Sequence, residues 1–311
     1  MTDTRNAMGL TMGLTLGPVL FNWAPETWRD FHFRIADEAP VDTVVVGETV
    51  CPKRAPFLEP HLPAVIERLA AAGKAVVLST PALVQTAREE AMLHDLAEGA
   101  GDMAVEANDM AAVSVLRGRP HHLGPGLNIY NEGTLAVLAA GGAARVCLPP
   151  ELAAGSIGVV ARAGRALGVE TEVLAFGRMP LAISARCYHA RAHGLTKDSC
   201  QYVCAQDPDG LDLDTLDGEP FLAVNGVQTL SHACLSLAAE AADLRARGVA
   251  RLRLSPQTVD MVAVARLFRD LLDGREDGAG VNAALAGLAG GVPLANGFYH
   301  GRAGAEMAPP D

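Results

Sequence analysis

Aromatic residues are scarce in this chain: two Trp, four Tyr and eight Phe among 311 residues, or 5%. A core without them must be built from Val, Leu, Ile and Ala, the residues of buried parallel strands. With 50% hydrophobic residues there is enough apolar mass for a large one. Basic charge is also short. Lys and Arg number 25 against 36 Asp and Glu, a formal net charge of −11. A field of that sign repels phosphate and argues against a nucleic-acid surface. Long apolar runs are missing: residues 10–20 are interrupted by Gly13, Gly17 and Pro18 and are too short to span a bilayer, so no integral membrane segment is expected. The opening MTDTRNAMGL lacks the continuous apolar stretch of a secretory signal. It reads as a flexible leader over residues 1–11, and a cytoplasmic location is the expectation. No G-x-S-x-G, H-E-x-x-H or P-loop occurs, which removes residue support for ordinary hydrolase and NTPase mechanisms. No G-x-G-x-x-G follows the first strand, and the spacing in GLTLGP is wrong for one, which weighs against a doubly wound dinucleotide-binding sheet.

What the chain does have is a rhythm of short apolar strands and amphipathic helices. Residues 43–46 (TVVV), 75–79, 103–106, 121–123, 145–148, 170–176 and 251–254 read as strands, and 14–20 as a first strand and turn. An irregular strand region follows at 127–130. Between the strands, residues 26–37, 60–72, 83–98, 109–117, 131–140, 150–167 and 259–272 read as helices. In the first of these, Trp28, Phe31 and Ile35 share a face at i, i+3, i+7. Eight strands alternating with helices predict an α/β fold, a (β/α)8 TIM-type barrel, as one domain over residues 12–311. Residues 177–220 break the rhythm and read as a long cysteine-bearing insertion after strand seven, a kind of loop that usually carries function. Beyond it, 221–224 reads as a short strand, 226–231 as a turn-like link and 233–247 as a helix.

Three of the six cysteines, Cys187, Cys200 and Cys204, fall in that insertion, and Cys51 lies in GETVCPKR far upstream. In a cytosolic chain such a gathering points to metal or redox chemistry rather than disulfides. Cys147, mid-strand, and Cys234, at the start of the predicted helix, read instead as small buried apolar residues. Four thiolates are a full ligand set for zinc or for an iron–sulfur cluster. One close pair, C-x3-C, with two separate singles tilts toward the cluster, because structural zinc usually uses two close pairs. Arg186, Arg191 and Lys197 favour the thiolate form electrostatically. On a barrel, Cys51 follows strand two and the other three follow strand seven, both on the C-terminal face where barrel enzymes build active sites. His189 and His193 stand at i, i+4 and could share a metal, a solvated basic segment being the plainer reading. His121 and His122 read as loop histidines satisfied by backbone. Glu48 and Glu106 end strands on the same face as the cysteines, as acid/base groups or as purely structural carboxylates.

GPVLFNW, GETVCPKRAPF, EPHLPAVIERLAAAGK, GRMPLAISARCYHARA, the C-x3-C pair, VNGVQT and RLSP run from about residue 14 to 300. Together they resemble the UbiV-type branch of the collagenase-like U-type peptidase superfamily. The resemblance implies a [4Fe–4S] cluster on Cys51, Cys187, Cys200 and Cys204. It implies a subunit of an O2-independent hydroxylase of anaerobic ubiquinone biosynthesis, acting on the prenylated benzene ring. It further implies a heterodimer with a UbiU-like sister protein, help from a UbiT-like lipid-binding protein, and prephenate as oxygen donor. An anionic donor needs cations, and Arg54, Arg178 and Arg186 are, with Glu48, the catalytic candidates, since Arg can grip a carboxylate bidentately; the alternative is that these arginines only favour the thiolates or pair with Glu48 and nearby Asp residues. The rival readings are a non-catalytic cluster scaffold or electron-transfer subunit, and a peptidase or RNA hydroxylase of the same superfamily. No nucleophile–base pair at recognisable spacing supports the peptidase, and the charge of −11 weighs against RNA.

Overall fold

In a computed structural model, which describes residues 12–309, short β-branched and aliphatic runs become the staves of a barrel. The expected flexible leader, residues 1–11, lies outside the described residues. The chain runs β1 (Gly13–Leu16), α1 (Pro25–Glu38), β2 (Thr43–Val46), α2 (Ala55–Leu58), α3 (Leu62–Ala71), β3 (Ala75–Ser79) and α4 (Ala87–Gly99). Next come β4 (Ala104–Ala107), α5 (Met110–Val115), β5 (His121–Leu123), α6 (Glu132–Ala140), β6 (Ala143–Leu148), α7 (Ala154–Leu167) and β7 (Glu170–Ile183). An excursion follows: α8 (Tyr188–Ala192), β8 (Leu211–Asp214), β9 (Pro220–Asn225) and β10 (Gln228–Ser236). The chain then returns through α9 (Ala241–Arg247), β11 (Arg251–Leu254), α10 (Met261–Leu272), α11 (Gly278–Leu288) and β12 (Leu294–Ala295).

Strands β1 to β7 pair in sequence order, β11 pairs with β7, and β1 pairs with β11, all in parallel. The ring of eight is therefore closed, with helices outside: the expected TIM-type barrel. Closure leaves the ring of eight itself without an edge, and every residue of β2 is buried. The helices start where their sequences supply caps. Thr86 and Glu89 form a capping box at α4, and Asp109 and Asn131 cap α5 and α6 through backbone N–H groups of Ala111 and Thr134.

Inside the barrel the apolar filling is interrupted by one charged layer. Arg253 of β11 donates to Glu172 of β7 and to both carboxylate oxygens of Glu106 of β4. Thr15 of β1 donates to Glu172 at 2.8 Å. All four side chains are buried. Above this layer, toward the C-terminal ends of the strands, lies a small cavity of about 60 Å³ lined by Gly17, Thr49, Asn108, Cys147, Gln228 and Ser255 among others.

The structure corrects the sequence reading in and around the excursion. The predicted first strand ends at Leu16, because Gly17 and Pro18 begin the loop over the barrel mouth. Residues 125–127 form a 3-10 turn where an irregular strand was expected nearby. β7 does not stop at Phe176 but continues to Ile183, because its second half gains an antiparallel partner in β10. Residues 226–231 are a hairpin turn and strand, not a link, and 233–236 are strand rather than helix; α9 begins only at Ala241. Cys234 therefore sits in β10 opposite Arg178, not at a helix start. The order β7–β10–β9–β8 makes an antiparallel flap that grows from one barrel stave, with β12 on β10.

Candidate functional site

Two loops on the C-terminal face carry the site. After β2 the chain turns at Gly47 and reaches Cys51, which opens a 3-10 turn over Pro52–Arg54. Glu48 shapes this turn: its Oε1 accepts from the backbone N–H of Val50 at 2.7 Å and of Cys51 at 2.9 Å. Burial raises its pKa, against the pull of Arg54 and those two N–H groups. After β7 the chain reaches Cys187, which caps α8 by accepting from Ala190 N–H at 3.4 Å. Cys200 and Cys204 bracket a turn in which Gln201 and Tyr202 both adopt left-handed backbone, at φ 49° and 54°. Such conformations cost on the order of 1–2 kcal/mol each outside glycine and persist where the surroundings enforce them. Here they turn Cys200 and Cys204 toward one cavity. Tyr202 is braced edge-on against Phe57 of α2, 4.9 Å between centroids. Lys53 ties the two loops together by donating to the carbonyls of Lys197 at 2.8 Å and Asp198 at 3.3 Å.

Cys51, Cys187, Cys200 and Cys204 line one small cavity, and none is in a disulfide. Cys147 and Cys234 lie elsewhere, both buried, and burial pushes the Cys234 thiol up to about 11 and the Cys147 thiol higher still. Burial also raises the thiols of Cys51 and Cys187, so ligation of a cation there would release protons. Asn22, in the loop after β1, donates to Cys204 Sγ at 3.4 Å.

Arg54 is the charge at the centre of this arrangement. It is 2% exposed and stands beside the thiols of Cys51 and Cys204 and the carboxylate of Glu48. Its Nη1 donates to Leu20 O at 2.9 Å and its Nη2 to Asn225 Oδ1 at 3.0 Å, while its Nε has no protein partner. Gly226, at φ 61°, lets the β9–β10 turn approach, since a Cβ there would lie 2.7 Å from Arg54 Nη2. Arg178 is buried apart from the thiols, bonding Ser231 O, His232 O and Asp212 across β7, β10 and β8. Arg186 is exposed, next to Cys187 in the chain. The structure thus brings together the four thiols, Glu48 and Arg54, holds Arg178 in the flap, and leaves Arg186 at the surface. Glu106 is not at the site but in the barrel layer with Arg253. His121 and His122 lie in strand β5 rather than in a loop, and His121 bonds backbone, Arg119 O at 2.8 Å.

The four thiols are a donor set for either a four-iron cluster or a zinc ion, and their spacing bears on which. A tetrahedral zinc at about 2.3 Å from each sulfur draws its thiolates to about 3.8 Å of one another. Among the described residues, no three of these thiols fall within 4.8 Å of one another, although all four face one cavity. A cubane with one iron at each thiolate holds its ligands farther apart. Buried Arg54 offsets part of the thiolate charge. Sequence reasoning missed Asn22, Asn225 and Gly226. The FNW and VNG segments that contain them carried a signal only as parts of longer motifs, since their roles depend on β1 and the flap meeting at Arg54.

A family model described as peptidase family U32 matches residues 28–309. Among solved structures, the chain is similar to a tryptophan synthase complex from Pyrococcus furiosus, at 12% identity over 88% of this chain and 97% of that one, with a TM-score of 0.41. It is similar also to phospho-2-dehydro-3-deoxyheptonate aldolase from Thermotoga maritima, at 11% identity over 91% of this chain and 72% of that one, with a TM-score of 0.41.

Proposed function

The chain belongs to peptidase family U32, and from that premise we propose that it is the iron–sulfur subunit of an O2-independent hydroxylase of UbiV type, acting with a UbiU-like partner on a prenylated ring in anaerobic ubiquinone biosynthesis. The observation that carries this reading is the convergence of Cys51, Cys187, Cys200 and Cys204 on one cavity on the C-terminal face of the barrel. Hydrolysis of a peptide has no comparable support: among the described residues, no hydrogen bond joins a Ser, Thr or Cys side chain to a histidine ring. A cluster with four protein thiolates supplies one-electron transfer and has no open coordination position.

The chain's own residues then divide the remaining work. Glu48 fixes the backbone that presents Cys51. Arg54 holds a buried positive charge against the thiolates and, being enclosed, is a positioning residue rather than a substrate contact. Arg178 fastens the flap. Arg186 alone of the three candidate arginines is exposed and so free to grip a carboxylate donor such as prephenate.

The test is anaerobic ubiquinone content in cells that lack the native gene and carry this chain or its Arg186→Lys or Cys187→Ala variant. Cys187→Ala should abolish ubiquinone. Arg186→Lys should reduce it at least tenfold, with iron content unchanged, because Lys cannot grip a carboxylate through two parallel hydrogen bonds. Wild-type ubiquinone in the Arg186→Lys cells would remove the donor-gripping role, and wild-type ubiquinone in the Cys187→Ala cells would remove the proposed function.

A further inference from the structure

His189, which lines the thiol cavity, also belongs to a second group of ligand-type side chains that contains none of the four thiols. His189 is fully buried, and its Nδ1 faces the carbonyl oxygen of Val224 at 3.1 Å. A carbonyl only accepts, so Nδ1 carries the ring proton and Nε2 of a neutral imidazole presents a lone pair. That lone pair faces Asp207 Oδ2 at 2.9 Å. Two acceptors at hydrogen-bond distance need a positive species between them. The His193 ring stacks on His189 at 5.7 Å and 10°, which brings a third ligand atom to the same place. One ligand atom from each of the three residues falls within 4.8 Å of the others.

We propose that His189, His193 and Asp207 form a site for a divalent first-row cation such as zinc, separate from the four thiols. Ligand atoms bound at about 2.0–2.1 Å lie about 2.9–3.4 Å apart in octahedral and tetrahedral sites, which matches the His189–Asp207 separation. The bond from His189 Nδ1–H to a backbone carbonyl is the outer-shell arrangement that orients metal-bound histidines. Two imidazoles and one carboxylate suit zinc or ferrous iron rather than the softer ions that prefer thiolates. His193 is exposed, so the outward positions of the ion are open to water.

The inference does not depend on what the thiols hold, because it uses none of them. The experiment takes anaerobically purified protein with its thiol-bound group intact, dialyses it against low-micromolar zinc chloride, and counts zinc, iron and sulfide per chain. Wild type should carry one more zinc than either His193→Ala or Asp207→Asn, with iron and sulfide the same in all three. Both substitutions lie outside the buried core, so the comparison does not turn on folding. Equal zinc in wild type and either variant overturns the site, the acceptor pair then sharing a proton instead. Loss of iron together with zinc in a variant also overturns it, assigning the residue to the thiol-lined pocket. Iron absent from all three samples counts against the cluster reading alone and leaves the zinc difference as the measure of this one.

Discussion

His32 lies wholly inside the molecule on α1, with Nδ1–H donating to Trp28 O at 2.7 Å and Nε2 without a protein partner. Burial lowers its pKa to about 4, and burial with nearby Arg145 and Arg253 lowers that of His122 to about 4 as well. The unfolded chain holds its histidines near 6.5 and so binds more protons than the folded one between pH 6.5 and 4. Their contribution to stability is therefore complete above pH 6.5 and is lost as pH falls toward 4, at up to about 1.4 kcal/mol per pH unit for each histidine. Thermal melts across that range should show the loss, and His32→Gln should flatten it; an unchanged slope would contradict the burial argument. The sequence could not reveal this, since an isolated His on an amphipathic helix looks the same buried or exposed. The four thiols were legible because cysteine clusters are rare and chemically narrow in meaning. Glu48 and Arg54 were legible as neighbours of the site but not in their roles, which depend on backbone N–H groups and on Asn225 in a distant hairpin.

At the scale of elements, the β-branched run 43–46 declared itself, because parallel strands buried on both faces favour such residues. β10 did not. Its TLSHACLS segment mixes small and polar residues, and its strand character comes from pairing with β7 and β9 rather than from propensity. The β9–β10 turn shows what that pairing is for. Gly226 carries both a left-handed backbone and a close approach to Arg54, whereas Gly73, at φ 76°, has nothing within 4 Å of a Cβ position. Alanine at Gly73 should cost on the order of 1 kcal/mol, the backbone term alone. Alanine at Gly226 should cost that and more, and should also lower iron content by displacing Arg54. Urea midpoints with iron assays on the two variants separate the terms; equal losses and equal iron would show that Arg54 does not need the approach.

For the whole molecule, the closed ring was legible from strand count, but its charged interior was not. Three barrel strands each contribute one member of the Glu106–Arg253–Glu172 group, and nothing in the sequence separation of 147 residues between Glu106 and Arg253 signals the contact. Removing the shared cation leaves two buried carboxylates without their ion pair, Glu172 keeping only the hydrogen bond from Thr15. Arg253→Met should therefore destabilise the barrel by about 3–5 kcal/mol at neutral pH, read from chemical denaturation, and less at acid pH where the carboxylates can protonate. A near-neutral effect would mean that water reaches this layer through the mouth.

The central claim is that this barrel presents four thiolates to one iron–sulfur cluster. The most direct measurement is iron and acid-labile sulfide per chain in protein purified or reconstituted without oxygen, for wild type and for each of the six single Cys→Ala variants. Four iron and four sulfide per chain are expected for wild type, Cys147→Ala and Cys234→Ala, with loss of the cluster in Cys51→Ala, Cys187→Ala, Cys200→Ala and Cys204→Ala. Stoichiometric zinc with negligible iron and sulfide in the wild type, or full iron in any of those last four variants, would contradict it.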